Sequence, residues 1–63
     1  MTALERWLFL ADCIGQLIST VEKEIADKNF TELNDRHSLS KIDKKLYEAL
    51  EVANKAADAL SDD

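Results

Sequence analysis

Between Leu4 and Ile25 this sequence writes a helix with more apolar surface than one neighbour of its own length can cover. Leu4, Trp7, Ala11, Ile14, Ile18, Val21 and Ile25 recur at alternating intervals of three and four, which keeps them on one face of an α-helix. At about 100° per residue, Leu8 widens that seam on one flank, and Leu10 and Leu17 widen it on the other. The apolar arc then approaches half the circumference. One antiparallel helix leaves part of it open, so the chain needs a second copy of itself or another protein.

Length sharpens that need. The 63 residues read as one domain, and a core of this size rarely supplies more than roughly 3 to 5 kcal/mol without disulfides, metal or oligomerisation. Cys13 is the single cysteine, so no disulfide can close within the chain and a reduced intracellular thiol is the natural reading. His37 is the single histidine, and no Cys-x-x-Cys or His-x-x-x-His spacing is present, so neither a metal site nor a cofactor is expected. Association remains as the source of stability.

Other partners are disfavoured by composition. The longest unbroken apolar run, Trp7 to Ala11, has five residues, far short of a membrane span or a signal peptide, so the expectation is a cytoplasmic protein without membrane contact. Thirteen acids against eight bases give a net charge of -5, which works against generic attraction to nucleic acid. The charge is unevenly placed. Residues 23 to 45 hold six of the eight bases against five acids, whereas Lys55 stands alone against Glu48, Glu51, Asp58, Asp62 and Asp63.

The pattern predicts two helices and one polar connection. Thr2 and Glu5 form a capping box, in which the Thr2 hydroxyl accepts from the Glu5 amide and the Glu5 carboxylate returns to the Thr2 amide, so helix one starts at residue 3. No proline interrupts it before about residue 28, and Asn29 suits the left-handed residue that closes a helix. Gly15, the only glycine, costs about 1 kcal/mol relative to alanine inside this helix, which invites close approach of another backbone. Residues 29 to 38 are polar except for Phe30 and Leu33 and read as the connection, with or without a short helical turn. Ser38 or Ser40 offers the next N-cap, the latter with Asp43 three residues on. Leu39, Ile42, Leu46, Ala49, Ala53, Ala56 and Leu60 then repeat the three-four seam, so helix two covers about 39 to 61. The fold class is an all-α antiparallel hairpin that dimerises into a four-helix bundle, with the bulky start of helix one beside the alanine-rich end of helix two.

Reactive chemistry is not written into the chain. A catalytic site needs a nucleophile or base held by an orienting partner. Here one histidine lies in a polar connection, one cysteine lies on a helix, and the carboxylates are scattered, so no catalytic residue is named. Arg36, Lys41, Lys44 and Lys45, with Lys28, form the best basic cluster, but Asp35 and Asp43 interleave with it and make a solvated face the plainer reading. Phe9 and Cys13, four residues apart, occupy the side of helix one opposite Leu4. With Trp7 and Leu10 they make the N-terminal end apolar almost all round, and helices of that kind meet protein on more than one side.

In overall plan, a short acidic chain with two three-four apolar seams separated by a polar connection resembles the Rop-type plasmid copy-number regulators. That resemblance covers architecture and no signature motif. It implies a dimeric four-helix bundle and, as one alternative, RNA binding on a bundle face, with Arg36, Lys41, Lys44 and Lys45 as this chain's own candidates.

The reading that follows most directly is a small regulatory protein, of the kind bacteria, plasmids and phages encode. It would bind a larger protein, such as a transcription factor or enzyme, and inhibit it by occupying a groove. Trp7, Phe9, Leu10 and Cys13 are the expected contact residues, with Leu17 and Tyr47 at the rim. A third possibility is an assembly subunit whose task is oligomerisation alone.

Overall fold

The computed structural model describes residues 1–61 and contains two helices, α1 (Ala3–Ala26) and α2 (Leu33–Ser61), folded back on each other as a helical hairpin. Asp62 and Asp63, counted above in the acidic end of the chain, lie outside the described residues. No strand occurs among the described residues. The hairpin is a rod of 48 × 16 × 13 Å.

The start of α1 follows from its cap. The Thr2 hydroxyl accepts from the Glu5 amide at 3.1 Å, and Glu5 Oε1 accepts from the Thr2 amide at 3.2 Å. Two amides that would otherwise lack partners are thereby satisfied. The far end differs from the sequence reading. Helix α1 stops at Ala26, Asp27 closes it, and Lys28 rather than Asn29 takes the left-handed conformation with φ 56°. Asn29 is engaged through its side chain, whose amide donates to Glu24 Oε2 at 2.9 Å.

Helix α2 begins at Leu33, six residues before the expected start, and Ser38 and Ser40 lie inside it rather than capping it. The connection is therefore only residues 27 to 32. Asn34, Asp35, Arg36, His37 and Ser38 are all exposed, and a solvated turn of helix carries no apolar period by which to recognise it. Asp35 in the first turn suits the positive N-terminal end of the helix. The Arg36 amide bonds the Glu32 carbonyl at 3.1 Å.

The seam of α1 runs where its spacing places it: Ile18 is buried, and Leu4, Trp7, Ala11, Ile14 and Val21 are half-buried. Ile25, at the turn end, is left 36% exposed. On α2 the buried face is rotated. Leu39, Leu46 and Ala53 stay in the seam, but their partners are Asp43, Leu50 and Ala57 rather than Ile42, Ala49 and Ala56 alone. Exchanging i+3 for i+4 neighbours turns the buried face by roughly 50°. Ile42 and Leu60, expected in the core or the dimer contact, are 47% and 40% exposed in the single hairpin. Among the described residues only Ile18, Ala53 and Ala57 are buried.

Gly15 does not have the neighbour the sequence suggests. A β-carbon built there meets nothing within 4 Å among the described residues. Within one hairpin, close backbone approach does not account for it.

Candidate protein interaction surface

The hairpin has two broad sides, and they differ in chemistry. One is a shallow trough lined by Leu8, Ala11, Asp12, Gly15, Gln16 and Ser19 of α1 with Leu50 and Asn54 of α2. The Gln16 amide donates to Asp12 Oδ2 at 3.1 Å on this side. Tyr47 belongs here too, because its hydroxyl donates to Glu22 Oε2 at 3.1 Å. Leu8, Ala11 and Leu50 give it an apolar floor, and Asp12, Gln16, Ser19 and Asn54 edge that floor with polar groups.

Helical periodicity assigns the other side. Leu10 and Leu17 lie on the flank of α1 opposite Leu8, Gly15 and Ser19, and Ile42, Ala49 and Leu60 lie on the flank of α2 opposite Tyr47 and Asn54. These two flanks adjoin across the seam. Leu10, Leu17, Ile42 and Leu60 all remain 40% or more exposed, so the hairpin carries an unpartnered apolar face, interrupted on α2 by Lys45.

The six residues expected to meet a partner are split by this geometry. Leu10 and Leu17 lie on the apolar face, and Cys13 is half-buried at its outer edge. Phe9 sits farther round, near the pole of α1 that points away from α2, and is 60% exposed. Trp7 is half-buried in the inter-helix seam. Tyr47 is on the trough side, tied to Glu22. Val52, 63% exposed at the outer edge of the apolar face on α2, is a further apolar residue that the seam reading passes over because it fits neither three-four series.

Polar groups intrude on the seam at one place. Asp43 Oδ1 is shielded from solvent and accepts no hydrogen bond. Desolvation raises the Asp43 pKa above the usual carboxylate value of 3.8, the Glu22 charge adds to this, and the protonated Asp43 carboxyl gains a hydrogen bond to Glu22. Tyr47 is raised above its ordinary 10.0, first by donating to Glu22, then by desolvation and by the charges of Glu22 and Asp43.

A second concavity of about 220 Å³ lies at the hairpin turn, where Ile25, Phe30, Leu33 and Leu39 meet Arg36 and His37. Phe30 and Leu33 gave no periodic signal, since they fall in and beside the connection. Arg36 of the basic cluster thus belongs to the turn, and the lysines of α2 sit elsewhere. Lys41, Lys44 and His37 follow the solvent-facing back of α2, and the same back continues through Glu48 and Glu51, with Lys45 3.7 Å from Glu48 and Lys55 3.0 Å from Glu51. Such exposed i,i+3 and i,i+4 pairs contribute only tenths of a kcal/mol.

Among the described residues no group of three His, Cys, Asp or Glu side chains could hold a metal ion, and no helix is long and apolar enough to cross a membrane. No protein-family model, curated protein or solved structure matches the chain.

Proposed function

We propose that this chain is a binding protein that pairs with a second copy to form a four-helix bundle, and that the bundle regulates a larger protein by docking on it. The observation that carries the regulatory reading is Phe9. An aromatic ring 60% exposed, outside the inter-helix seam and flanked by Leu10 and Cys13, contributes little to the hairpin. Aromatic anchors of this kind dominate the energetics of most interfaces. Occupying a groove or dimer interface of a transcription factor or enzyme, and so inhibiting it, is the mechanism such a surface suits.

The test is capture from host lysate with a tagged chain, run beside Phe9→Ala. The expected result is a stoichiometric protein partner whose retention falls more than tenfold in the variant, while helicity, melting and self-association hold. If Phe9→Ala melts the protein, Phe9 belongs to a core and the docking surface lies elsewhere. If it changes neither property, the ring is incidental and the proposal loses its support.

A second reading, nucleic-acid binding of the Rop type, is favoured by one observation: His37, Lys41 and Lys44 share an outer ridge of α2 close to Lys45. The acids Glu48 and Glu51 on the same back of the helix rank it below protein docking. Co-purified RNA instead of protein would reverse that order.

A further inference from the structure

The apolar face has the dimensions and layout of a self-complementary interface. About the mid-points of its exposed pairs two copies overlap along roughly 30 Å of rod, and at a width of 16 Å this covers roughly 1,000 Å² in total, near the least that a specific interface buries. A twofold interface joins one patch to its own copy, so its large residues must be disposed symmetrically about the axis. On α1 the exposed pair Leu10 and Leu17 is centred beside Cys13, and on α2 the exposed pair Ile42 and Leu60 is centred beside Val52. The two centres lie at one level of the rod, because the Leu8–Ser19 stretch stands opposite Leu50 and Asn54. One axis can therefore serve both helices.

Resting on the self-association proposed above, we infer that a second copy covers this face with the two hairpin turns at opposite ends. An axis across the rod at the level of Cys13 sets α1 on α1 and α2 on α2 of the second copy. Leu10 then meets Leu17, and Ile42 meets Leu60. The reverse order, with both turns at one end, lays α2 over α1 of the second copy level for level, and Ile42 then falls at the Glu24 end of α1. Charge favours the same choice. Described residues 1–15 and 48–61 hold five acids and two bases, whereas residues 16–47 hold six of each. Opposed turns set the two open ends on either side of the axis, roughly 30 Å apart at 1.5 Å per residue and still beyond the Debye length of about 8 Å at physiological salt.

The native thiol reports the order. With turns opposed, Cys13 of each copy flanks the axis at the same outer edge of the face, near enough for the β-carbon spacing of about 3.5 to 4.5 Å that a disulfide requires. Copper-phenanthroline oxidation of the purified full chain should then yield a covalent dimer, and Cys13→Ser combined with Val52→Cys should do so as well. Sedimentation across a concentration series supplies the independent readout of association. A dimer that cross-links only when Cys13 and Val52→Cys are both present has its turns together, which overturns the inferred order and leaves self-association standing. A dimer that cross-links in none of the three chains uses another face and overturns the inference outright. A monomer at micromolar concentration overturns both the order and the pairing it rests on, and leaves docking on a larger protein to be decided by capture.

Discussion

Leu8 and Leu17 offer a matched experiment on the apolar face. Each leucine is 52% exposed in the hairpin, and each lies on a flank of the α1 seam, but Leu8 faces the trough beside Asp12 and Leu17 the opposite side. Fully burying a leucine is worth about 1.5 to 3 kcal/mol. A second copy that covers the open half of Leu17 therefore gains about 1 to 1.5 kcal/mol per chain, or about 2 to 3 kcal/mol per dimer, before any cavity cost. Leu17→Ala should weaken the dimer by about 30- to 150-fold, since each 1.4 kcal/mol is tenfold in affinity. Leu8→Ala makes the same chemical change at the same exposure and should leave the dimer constant within about threefold. Sedimentation equilibrium across a hundredfold concentration range reads both, with circular dichroism at the highest concentration as a check that each variant is still helical. The reasoning fails if the two variants dissociate equally, or if Leu8→Ala is the weaker dimer.

Other expectations follow from single residues. Ile18→Asp places an unpaired charge at a position 5% exposed in the centre of the seam, which costs several kcal/mol; since the whole core is worth little more, loss of helicity is the expected result and a helical dimer would contradict it. Asp43 has its pKa raised in the fold, so its protonated form is the stabilising one, and that contribution is complete below the unfolded value and is lost as pH rises through the folded value. Melting temperature should accordingly fall as pH climbs through the range just above 3.8, and Asp43→Asn, which cannot ionise, should flatten that dependence and melt higher than the parent at pH 7. Replacing Lys41, Lys44 and Lys45 together by Gln tests the nucleic-acid reading: the parent should bind RNA and DNA only weakly at physiological salt, and submicromolar affinity that loses its salt dependence in the triple variant would put that reading first.

Helix α1 was almost wholly legible because its signals agree. The capping box, the absence of proline and seven apolar residues at three-four spacing all describe the same segment, and the hairpin buries that face. Helix α2 was legible in kind but not in rotation. Its spacing accommodates two seams that share Leu39, Leu46 and Ala53, and hydropathy selects Ile42 over Asp43. The fold instead buries Leu50 and Ala57 and accepts Asp43 with them, leaving Ile42 outside. A sequence pattern reports which residues favour cover without naming what covers them. The same limit applies to the interaction surface: Leu10, Leu17 and Phe9 stand out by type and spacing, whereas the separation of Tyr47 onto the trough side depends on which flank faces which. The early start of α2 was hidden because five consecutive solvated residues carry no period.

The small buried core, Ile18 with Ala53 and Ala57, has a consequence for how such a chain would behave at low abundance. When most of the stabilising contact comes from a second copy, folded fraction becomes a function of concentration by mass action. Newly made chains that have not met one another would spend much of their time open, and opened helices are what proteases cut. Lifetime would then lengthen as supply increases, so the amount of functional protein would rise more steeply than the rate of synthesis. A gene dose that doubled would more than double the working pool, which is a threshold set by packing alone.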